Sequence, residues 1–359
     1  LFFFQPYAGS GDSSTSRGLG DVYKRQGMIR VGLLGTGRIG SLHAETIASH
    51  PDSSLHAVSD IDSDSATKLA TQYGAIVKSA EDVISDQNVD AILIATSTDT
   101  HSDFIEKASF AGKPILCEKP VDLNLTRAKK CLENVSASNN PIMIGFNRRF
   151  DPNFAQLKKS LENNEIGKRE LLTITSFDPA PPPLSYIKTS GGLYRDMMIH
   201  DFDLSNFIMG ELPITISAVG HSLVNPEIGA AGDVDTAVVT MVYSDGKIAV
   251  IKNSRRAAYG YDQRVEILGA EGLLQADNIL ESSVVKSTKV GVISAKPKYF
   301  FLERYMSAYK AEWDAFVKSI NDNQPVPVTL EDGVAALAMA EAATQSQILG
   351  KSIQLEEVL

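Results

Sequence analysis

Short apolar runs alternate with amphipathic segments of helical period through the first half of the chain. The apolar runs lie at 29–34, 55–60, 91–95, 114–117 and 141–145, and the helical segments between them lie at 41–49, 65–73, 100–111 and 125–136. Strands that alternate with helices indicate parallel pairing, because each crossover helix returns the chain to the same edge of the sheet. The pattern therefore predicts an α/β fold with a doubly wound parallel sheet.

The pattern changes after Phe150, where β-branched runs follow one another with few helical segments between them. These runs lie at 171–176, 214–219, 237–243, 247–251 and 265–268, and segments of helical period follow at 305–320 and 331–350. Ser244, Asp245 and Gly246 separate two of the runs and are typical of a tight hairpin. The sequence therefore predicts a C-terminal α+β domain on a largely antiparallel open sheet, whose free face is suited to a subunit interface.

We expect three parts along the chain. Residues 28–150 form the first domain, and residues 151–359 form the second, whose C-terminal helices can pack back on the first. Residues 1–27 carry one short apolar burst and then a Gly/Ser-rich stretch without helix or strand period. That burst is too short and comes too early for a signal peptide. We interpret residues 1–27 as a non-native or disordered extension ahead of a true start at Met28.

The charge balance restricts the class of partner. The 359 residues include 34 basic and 44 acidic side chains, which gives a net charge of −10 at pH 7. A nucleic-acid-binding protein needs a basic face against phosphate, so this class is disfavoured. No apolar run approaches the ~18 residues of a membrane helix. Cys117 and Cys131 are the only two cysteines, so no disulfide framework is available and we expect a reducing, cytoplasmic setting.

A glycine-rich turn follows the first strand and opens the first helix. Gly35 would allow the tight turn, Gly37 would let the backbone approach a pyrophosphate, and Gly40 would permit close packing of the helix. Asp60 ends the next strand, 20 residues after Gly40. A carboxylate there accepts both ribose hydroxyls of NAD and repels the 2′-phosphate of NADP. A glycine turn without a ligand is the alternative, but the complete pattern favours a Rossmann domain that binds NAD.

Lys119 lies directly after a short strand, in the run from Cys117 to Pro120. It is therefore expected at the carboxyl edge of the predicted sheet, where open α/β folds bind their ligands. Its ammonium could face a substrate hydroxyl. A solvated lysine before a proline turn is the alternative.

A second cluster of titratable residues lies at 191–203. Helical spacing would place Asp196, His200 and Asp203 on one face. A histidine flanked by carboxylates is oriented and becomes a better proton acceptor, which is what a general base requires. The alternatives are a capping carboxylate with a structural histidine, and a site for a divalent metal, although no other histidine lies nearby in the sequence.

These residues match the motifs of a known oxidoreductase family. The matching segments are 31–40, 118–120, 145–151 and 195–203. On this basis the chain, from about residue 28 to its C-terminus, resembles the Gfo/Idh/MocA family. Within the family it is most similar to the inositol dehydrogenases, as the segments 178–183, 233–238 and 253–262 indicate.

The resemblance implies roles for individual residues. Lys119, Asp196 and His200 fall on the family's catalytic set, and Tyr261 falls on its substrate-side tyrosine. Asn147 joins them in the polar pocket that we expect for the substrate. The expected cofactor-binding residues are Gly35, Gly37, Arg38, Ile39, Gly40, Asp60, Thr96, His101 and Glu118. No metal is expected.

The resemblance also implies a reaction, the oxidation of myo-inositol to its 2-keto product by NAD in inositol catabolism, in a homotetramer. In the expected mechanism His200 takes the hydroxyl proton, Asp196 orients and charges His200, and Lys119 stabilises the developing alkoxide. Some members carry a histidine where this chain has Phe177–Pro179, so scyllo-inositol or an aldose remains open as the substrate. A catalytically silent NAD-binding regulator, expected to lose Lys119 or His200, is the other alternative.

Overall fold

Six parallel strands form the first sheet of the computed structural model, which describes residues 27–359. The strands are β1 (Ile29–Leu34), β2 (Ser53–Ser59), β3 (Ile76–Val77), β4 (Ala91–Ile94), β5 (Ile115–Glu118) and β6 (Ile142–Gly145). Their order, β3-β2-β1-β4-β5-β6, reverses direction between β1 and β4 and so opens a crevice at that point. The predicted doubly wound parallel sheet is confirmed. The predicted extension at 1–27 lies, except for Gly27, outside the described residues.

Helices connect these strands at the predicted positions. They are α1 (Arg38–Ser49), α2 (Ser63–Tyr73), α3 (Ala80–Ser85), α4 (His101–Phe110) and α5 (Leu125–Val135), with 3₁₀ helices at Thr98–Thr100 and Asn147–Phe150. Side-chain caps set several helix starts. The Asp62 carboxylate accepts from the backbone N–H groups of Asp64 and Ser65, and Asn124 accepts from the N–H of Arg127. The sequence did not predict β3 and α3, which are too short to carry a periodic signal.

Seven strands form a second, mixed sheet in the order β12-β11-β7-β10-β9-β8-β15. They are β7 (Arg169–Phe177), β8 (Thr215–His221), β9 (Thr236–Val242), β10 (Ile248–Ser254), β11 (Asp262–Gly269), β12 (Gly272–Ala276) and β15 (Ile353–Gln354), while β13 (Val285–Thr288) and β14 (Gly291–Ser294) form a separate hairpin. Among the described strands of this sheet only β7 and β10 pair in parallel, so the predicted largely antiparallel sheet is confirmed. Gly246, at φ +84°, lies in the predicted hairpin between β9 and β10.

One face of the second sheet is covered and the other is open. In β9 the side chains of Ala237, Val239 and Met241 are buried, whereas those of Val238 and Val242 are exposed. Alternation with a period of two residues is expected of a strand that packs on one side only. The open face therefore carries apolar side chains that no part of residues 27–359 covers.

The second half of the chain also contains helices, several of which contribute buried side chains to the core of the second sheet. They are α6 (Pro152–Glu162), α7 (Leu184–Ser190), α8 (Leu193–Asp196), α9 (Ile199–Met209), α10 (Pro226–Ala230), α11 (Phe301–Asn321) and α12 (Leu330–Leu349), with a 3₁₀ helix at Leu355–Glu357. The prediction of few helices between these strands is wrong for α7 to α10, several of which are only one or two turns long. Helix α6 begins with Pro152, and its cap, Asp151, accepts from the N–H groups of Asn153 and Phe154.

Helix α11 contributes to the cores of both sheets. Trp313 and Phe316 lie in the core of the first sheet, whereas Tyr305 and Ala308 lie in the core of the second. Since one rigid helix joins both cores, the two sheets are held in a fixed relation. Residues from both can therefore meet at the crevice of the first sheet.

No described helix is both long enough and apolar enough to cross a membrane. Cys117 and Cys131 are free thiols and both are buried. Burial raises the pKa of the Cys117 thiol well above its ordinary value, so it is a core residue and a poor nucleophile.

Candidate active site

The glycine turn has the geometry that a bound dinucleotide requires. Gly35 adopts φ +96°, and a Cβ there would lie 2.3 Å from the carbonyl oxygen of Ala95. A Cβ on Gly40 would lie 2.1 Å from the carbonyl oxygen of Gly35, which explains why the helix can start so close to the strand. Gly37 is exposed and a Cβ there would meet nothing within 4 Å. The backbone at Gly37 is therefore free to approach a phosphate.

Asp60 is fixed beside this turn. One carboxylate oxygen accepts from the backbone N–H of Thr36 at 2.5 Å and from its hydroxyl at 3.0 Å, and the other accepts from the N–H of Asp62 at 2.9 Å. Partial burial would raise the pKa of Asp60, but the hydrogen bonds from Asp62 and Thr36 outweigh it and leave the pKa below its ordinary value. Asp60 is therefore ionised and oriented at the end of β2.

Lys119 reaches from the first sheet to the second half of the chain. It follows β5, and its Nζ donates to the backbone oxygen of Asp196 at 2.7 Å. The same Nζ lies 3.5 Å from Oδ1 of Asp196. Only 15% of the Lys119 side chain and 14% of the Asp196 side chain are exposed. The sequence-predicted lysine and aspartate thus form one partly buried site.

The Asp196 carboxylate contacts several hydrogen-bond donors, but His200 is not one of them. The Tyr186 hydroxyl donates to Oδ1 of Asp196 at 2.8 Å, and Nη2 of Arg255 lies 3.5 Å from Oδ2. With Lys119, these groups account for the described contacts of the carboxylate. The expectation that Asp196 orients and charges His200 is therefore not met here. Tyr186 and Arg255 were missed as site residues, although segment 253–262 pointed to the neighbourhood of Arg255.

The predicted single helical face is also wrong. Helix α8 ends at Asp196, and α9 begins at Ile199, so His200 is on a different helix. Asp203 faces elsewhere, where its carboxylate accepts from Nε of Arg149 at 2.8 Å and from Nη2 at 2.5 Å. A spacing argument assumes one continuous helix. The helix is broken at residues 197–198, so the side chains before and after the break point in different directions.

His200 is a neutral base in an electropositive setting. Its ring meets the ring of Phe146 edge to face at 6.2 Å, and its Nδ1 is buried without a hydrogen-bond partner among the described residues. Burial, followed by the positive charges of Lys119 and Arg148, lowers the pKa of His200 well below its ordinary value. The expected rise in basicity from flanking carboxylates is thus replaced by a fall. In this neutral form one ring nitrogen of His200 is unprotonated and can accept a proton.

A buried polar network lies behind the site. Nη1 of Arg148 donates to Oδ1 of Asp201 at 2.5 Å, the Ser176 hydroxyl donates to the same oxygen at 2.6 Å, and Nδ2 of Asn253 donates to Oδ2 at 2.8 Å. Asp201 is fully buried. Since each carboxylate oxygen has a donor, the charge is compensated. The network ties α9, and with it His200, to β7 and β10.

Asp178 brings a second carboxylate close to Asp196. It follows β7, and Oδ2 lies 3.8 Å from Nη1 of Arg255, the guanidinium that also contacts Asp196. Burial raises the pKa of Asp178 to about 6, against the lowering effect of Arg255 and Arg148. Asp178 therefore changes charge near neutral pH, at the position where the resemblance left the substrate open.

The remaining predicted substrate residues are buried near this network. Asn147 is 3% exposed at the start of the 3₁₀ helix that follows β6. Tyr261 is 6% exposed, and its ring meets that of Tyr305 edge to face at 6.1 Å. Burial raises the pKa of Tyr261 well above its ordinary value, so its hydroxyl stays protonated and can donate.

The imidazole ring of His101 contacts the backbone at two positions. Its Nδ1 lies 2.7 Å from the carbonyl oxygen of Pro120, and its Nε2 lies 3.1 Å from that of Thr96. Both nitrogens thus face backbone carbonyl oxygens, and since burial lowers the pKa of His101, the neutral ring donates to one of the two. His101 joins the turn after β4 to the turn after β5, which positions Thr96 and Lys119. Direct contact of His101 with the cofactor stays a prediction.

The other expected cofactor residues lie at the rim of the same crevice. The Arg38 side chain is exposed, with its guanidinium carbon 5.7 Å from the centre of the Phe300 ring, and Ile39 beside it is partly buried. Glu118 ends β5, where Oε1 lies 2.6 Å from Nε2 of His43. The open backbone at Gly37 and the ionised carboxylate at Asp60 fit a dinucleotide with free ribose hydroxyls.

Family models match both halves of the chain. A model described as an oxidoreductase family, NAD-binding Rossmann fold, matches residues 29–146. A second model, described as an oxidoreductase family C-terminal alpha/beta domain, matches residues 158–355.

Individual relatives and solved structures match over nearly their whole length. The chain is 45% identical over 333 residues to the myo-inositol 2-dehydrogenase of Thermotoga maritima, covering 92% of this chain and 100% of that one. A myo-inositol dehydrogenase structure from Corynebacterium glutamicum has a TM-score of 0.88 at 41% identity, covering 91% of this chain and 99% of that one. A scyllo-inositol dehydrogenase structure from Lactobacillus casei, with bound NAD(H) and scyllo-inositol, has a TM-score of 0.86 at 29% identity, covering 92% and 99%.

Proposed function

Because the chain belongs to the Gfo/Idh/MocA oxidoreductase family, we propose that it is an NAD-dependent inositol 2-dehydrogenase. It oxidises myo-inositol to the 2-keto product, the activity named for the relative from Thermotoga maritima. The observation that carries the proposal is the meeting of Lys119, Asp196 and His200 at one site. The lysine comes from the first sheet and the other two come from the second half of the chain. A silent regulator would have no need of this set.

The electrostatics of the site suit proton removal from a carbinol. His200 is neutral, so it can accept the hydroxyl proton, and Lys119 supplies a positive charge for the developing alkoxide. Asp196 holds Lys119 through its backbone oxygen and its carboxylate, which makes Asp196 a positioning residue for the lysine. NAD, when bound at the glycine turn and Asp60, supplies the hydride acceptor. Arg148 adds a second fixed positive charge near the base.

The polar lining favours a substrate with a hydroxyl on every carbon. Lys119, Asn147, Asp196, His200 and Tyr261 offer hydrogen-bonding groups, and a substrate that leaves them unpaired would bind poorly. In myo-inositol the single axial hydroxyl has an equatorial carbinol hydrogen, which can face the nicotinamide while the oxygen meets His200 and Lys119. The structural likeness to a scyllo-inositol dehydrogenase keeps that isomer as the second candidate.

A substrate panel tests the proposed function. We expect steady-state kcat/KM with NAD to be highest for myo-inositol, lower for scyllo-inositol and glucose, and undetectable for lactate and simple alcohols. Formation of NADH, followed by its absorbance, is the measurement. A preference for scyllo-inositol or glucose would contradict the substrate but keep the chemistry. Activity on lactate alone would contradict both.

Replacing Asp60 by serine should narrow the preference for NAD over NADP about tenfold, equivalent to ~1.4 kcal/mol. The reason is that the ionised Asp60 repels a 2′-phosphate, while serine does not. The ratio of kcat/KM for the two cofactors is the measurement, with Asp64→Ser, an exposed carboxylate nearby, as the control for net charge. If the wild-type chain already reduces NADP faster than NAD, the ribose assignment is wrong.

The open face of the second sheet supports self-association. Its exposed apolar side chains are Leu171, Val238, Val242, Ile248, Leu268 and Leu273. A contiguous apolar surface of this kind is expected to be covered by another chain. We propose that the working form is a homotetramer that acts in inositol catabolism in the cytoplasm. The two free buried thiols are consistent with a reducing compartment.

A further inference from the structure

Three titratable side chains form a buried cluster one residue away from Lys119. They are His43 on α1, Glu118 at the end of β5, and Glu312 on α11. Their nitrogen and oxygen atoms all lie within 4.8 Å of one another, and Nε2 of His43 is 2.6 Å from Oε1 of Glu118. The ring of Tyr309 meets the His43 ring edge to face at 5.7 Å. The cluster therefore joins the glycine-turn helix, the lysine-bearing strand and a C-terminal helix.

The charges within the cluster do not balance if both carboxyl groups are ionised. Glu312 is fully buried, and neither of its oxygens has a hydrogen-bond partner in the described part of the chain. An isolated carboxylate in such a place carries a large desolvation cost, which the group avoids by taking up a proton. Burial, and then the charge of Glu118, raises the pKa of Glu312 well above its ordinary value. Glu312 is thus the carboxyl group whose negative charge would have no hydrogen-bond donor among the described residues.

A proton explains the cluster better than a metal ion does. Ligands at 2.0–2.2 Å from one metal are held roughly 3 Å or more apart by tetrahedral or octahedral geometry. The 2.6 Å separation between His43 and Glu118 is instead that of a direct hydrogen bond. Metal binding would have to pull this pair apart.

Glu118 is the more exposed side chain of the hydrogen-bonded pair in the cluster, and it lies at the carboxyl end of β5. Its side chain keeps 11% exposure, while His43 keeps 1%. Its second oxygen, Oε2, lies against the backbone of the neighbouring strand, 3.2 Å from where a Cβ on Gly145 would be. With Oε1 held by His43 and Oε2 confined at β6, the carboxylate has a fixed direction next to Lys119.

We propose that Glu312 is held as the neutral acid and acts as a positioning residue, which together with His43 keeps the Glu118 side chain fixed beside Lys119 at the cofactor site. The cofactor part of this proposal rests on the proposed function. The protonation part rests only on the geometry of the cluster. A neutral side chain at position 312 does not repel the side chain of Glu118, whereas a negative charge at position 312 would push Glu118 away.

The test compares Glu312→Gln, which is neutral and of the same size, with Glu312→Ala. Glutamine should keep the affinity for NADH that alanine weakens about tenfold, since alanine leaves Glu118 without its neighbour. NADH binding is measured by fluorescence titration. If glutamine weakens NADH binding as much as alanine does, then the ionised form of Glu312 is the functional one and the proposal is overturned.

Thermal unfolding between pH 5 and pH 8 gives a second readout, independent of the cofactor. A carboxyl whose folded pKa is raised stabilises the fold below its unfolded pKa of about 4.3, and this stability is lost as pH rises through the folded pKa. The Tm of Glu312→Gln relative to wild type should therefore increase with pH. Glu303→Gln, an exposed glutamate on the same helix, should show no such trend. A constant Tm difference for Glu312→Gln would overturn the proposal.

Infrared difference spectra and metal analysis complete the test. Wild type minus Glu312→Gln at pH 7 should show the carbonyl stretch of a protonated carboxylic acid, and its absence overturns the proposal. A stoichiometric divalent metal in the purified protein, with a chelator lowering the Tm of wild type but not of Glu312→Gln, overturns it in favour of a metal site. A wild type that oxidises no polyol contradicts only the proposed function, because the infrared band and the Tm trend still decide the state of Glu312.

Discussion

Replacing His200 by alanine is expected to lower kcat for myo-inositol by roughly 10²- to 10⁴-fold, the usual contribution of a positioned general base. The affinity for NADH should change little, because His200 belongs to α9 and the glycine turn with Asp60 belongs to the first sheet. Steady-state kinetics and NADH fluorescence titration measure the two quantities separately. Turnover close to wild type in this variant would remove His200 from the mechanism.

The pH profile provides a second readout for His200. Burial and the charges of Lys119 and Arg148 lower its pKa well below 6.5, so His200 is already deprotonated at neutral pH. The kcat/KM of wild type should therefore show no loss from His200 until the pH falls well below 6.5. Asp178, whose pKa is about 6, titrates at higher pH. Asp178→Asn serves as the variant that separates its contribution from that of His200.

Replacing Lys119 by methionine is expected to lower kcat by roughly 10²- to 10³-fold, in the range found for loss of one preorganised group facing a developing oxyanion. Methionine keeps the length of the side chain but removes the charge. The same change removes a cation that lowers the pKa of His200. The acidic limb of kcat/KM should therefore move to higher pH, which a purely structural defect would not cause.

Lys130→Met is the matched control, because Lys130 is an exposed lysine whose ion pair is with Glu133 on its own helix. Its kcat and pH profile should equal those of wild type. If Lys119→Met lowers kcat without moving the acidic limb, Lys119 does not act on His200. If kcat is unchanged, the alkoxide has another source of positive charge, with Arg148 and Arg255 as the nearest candidates.

The contacts of Asp196 give this residue a different role from the one that the motif suggests. Tyr186, Lys119 and Arg255 all approach its carboxylate. Asp196 therefore positions the cations Lys119 and Arg255, and it does not position His200. The charges that act on the neutral His200 are the positive ones of Lys119 and Arg148. Such a site favours the alkoxide over the alcohol, which is the charge change that precedes loss of hydride.

The sequence by itself determined the first sheet, the glycine turn and the position of the lysine. A buried parallel strand is a near-continuous apolar run: β4 is apolar throughout, and β1 and β5 each carry a single charged residue, Arg30 and Glu118. Gly35 and Gly40 are required because a Cβ at either position would lie little more than 2 Å from a carbonyl oxygen, and this local requirement is visible in the sequence as a motif. Lys119 follows a strand directly, and the end of a strand fixes the edge on which it lies.

Only the tertiary structure decided which charged groups meet. Asp196 and His200 are four residues apart, but the break between α8 and α9 separates them, and Asp196 finds Lys119 and Arg255 from distant parts of the chain. Glu312 is 194 positions from Glu118, yet α11 brings the two together in one buried cluster. Periodicity and turn chemistry act over a few residues, whereas the pKa of a buried group depends on desolvation and on charges from every element packed around it.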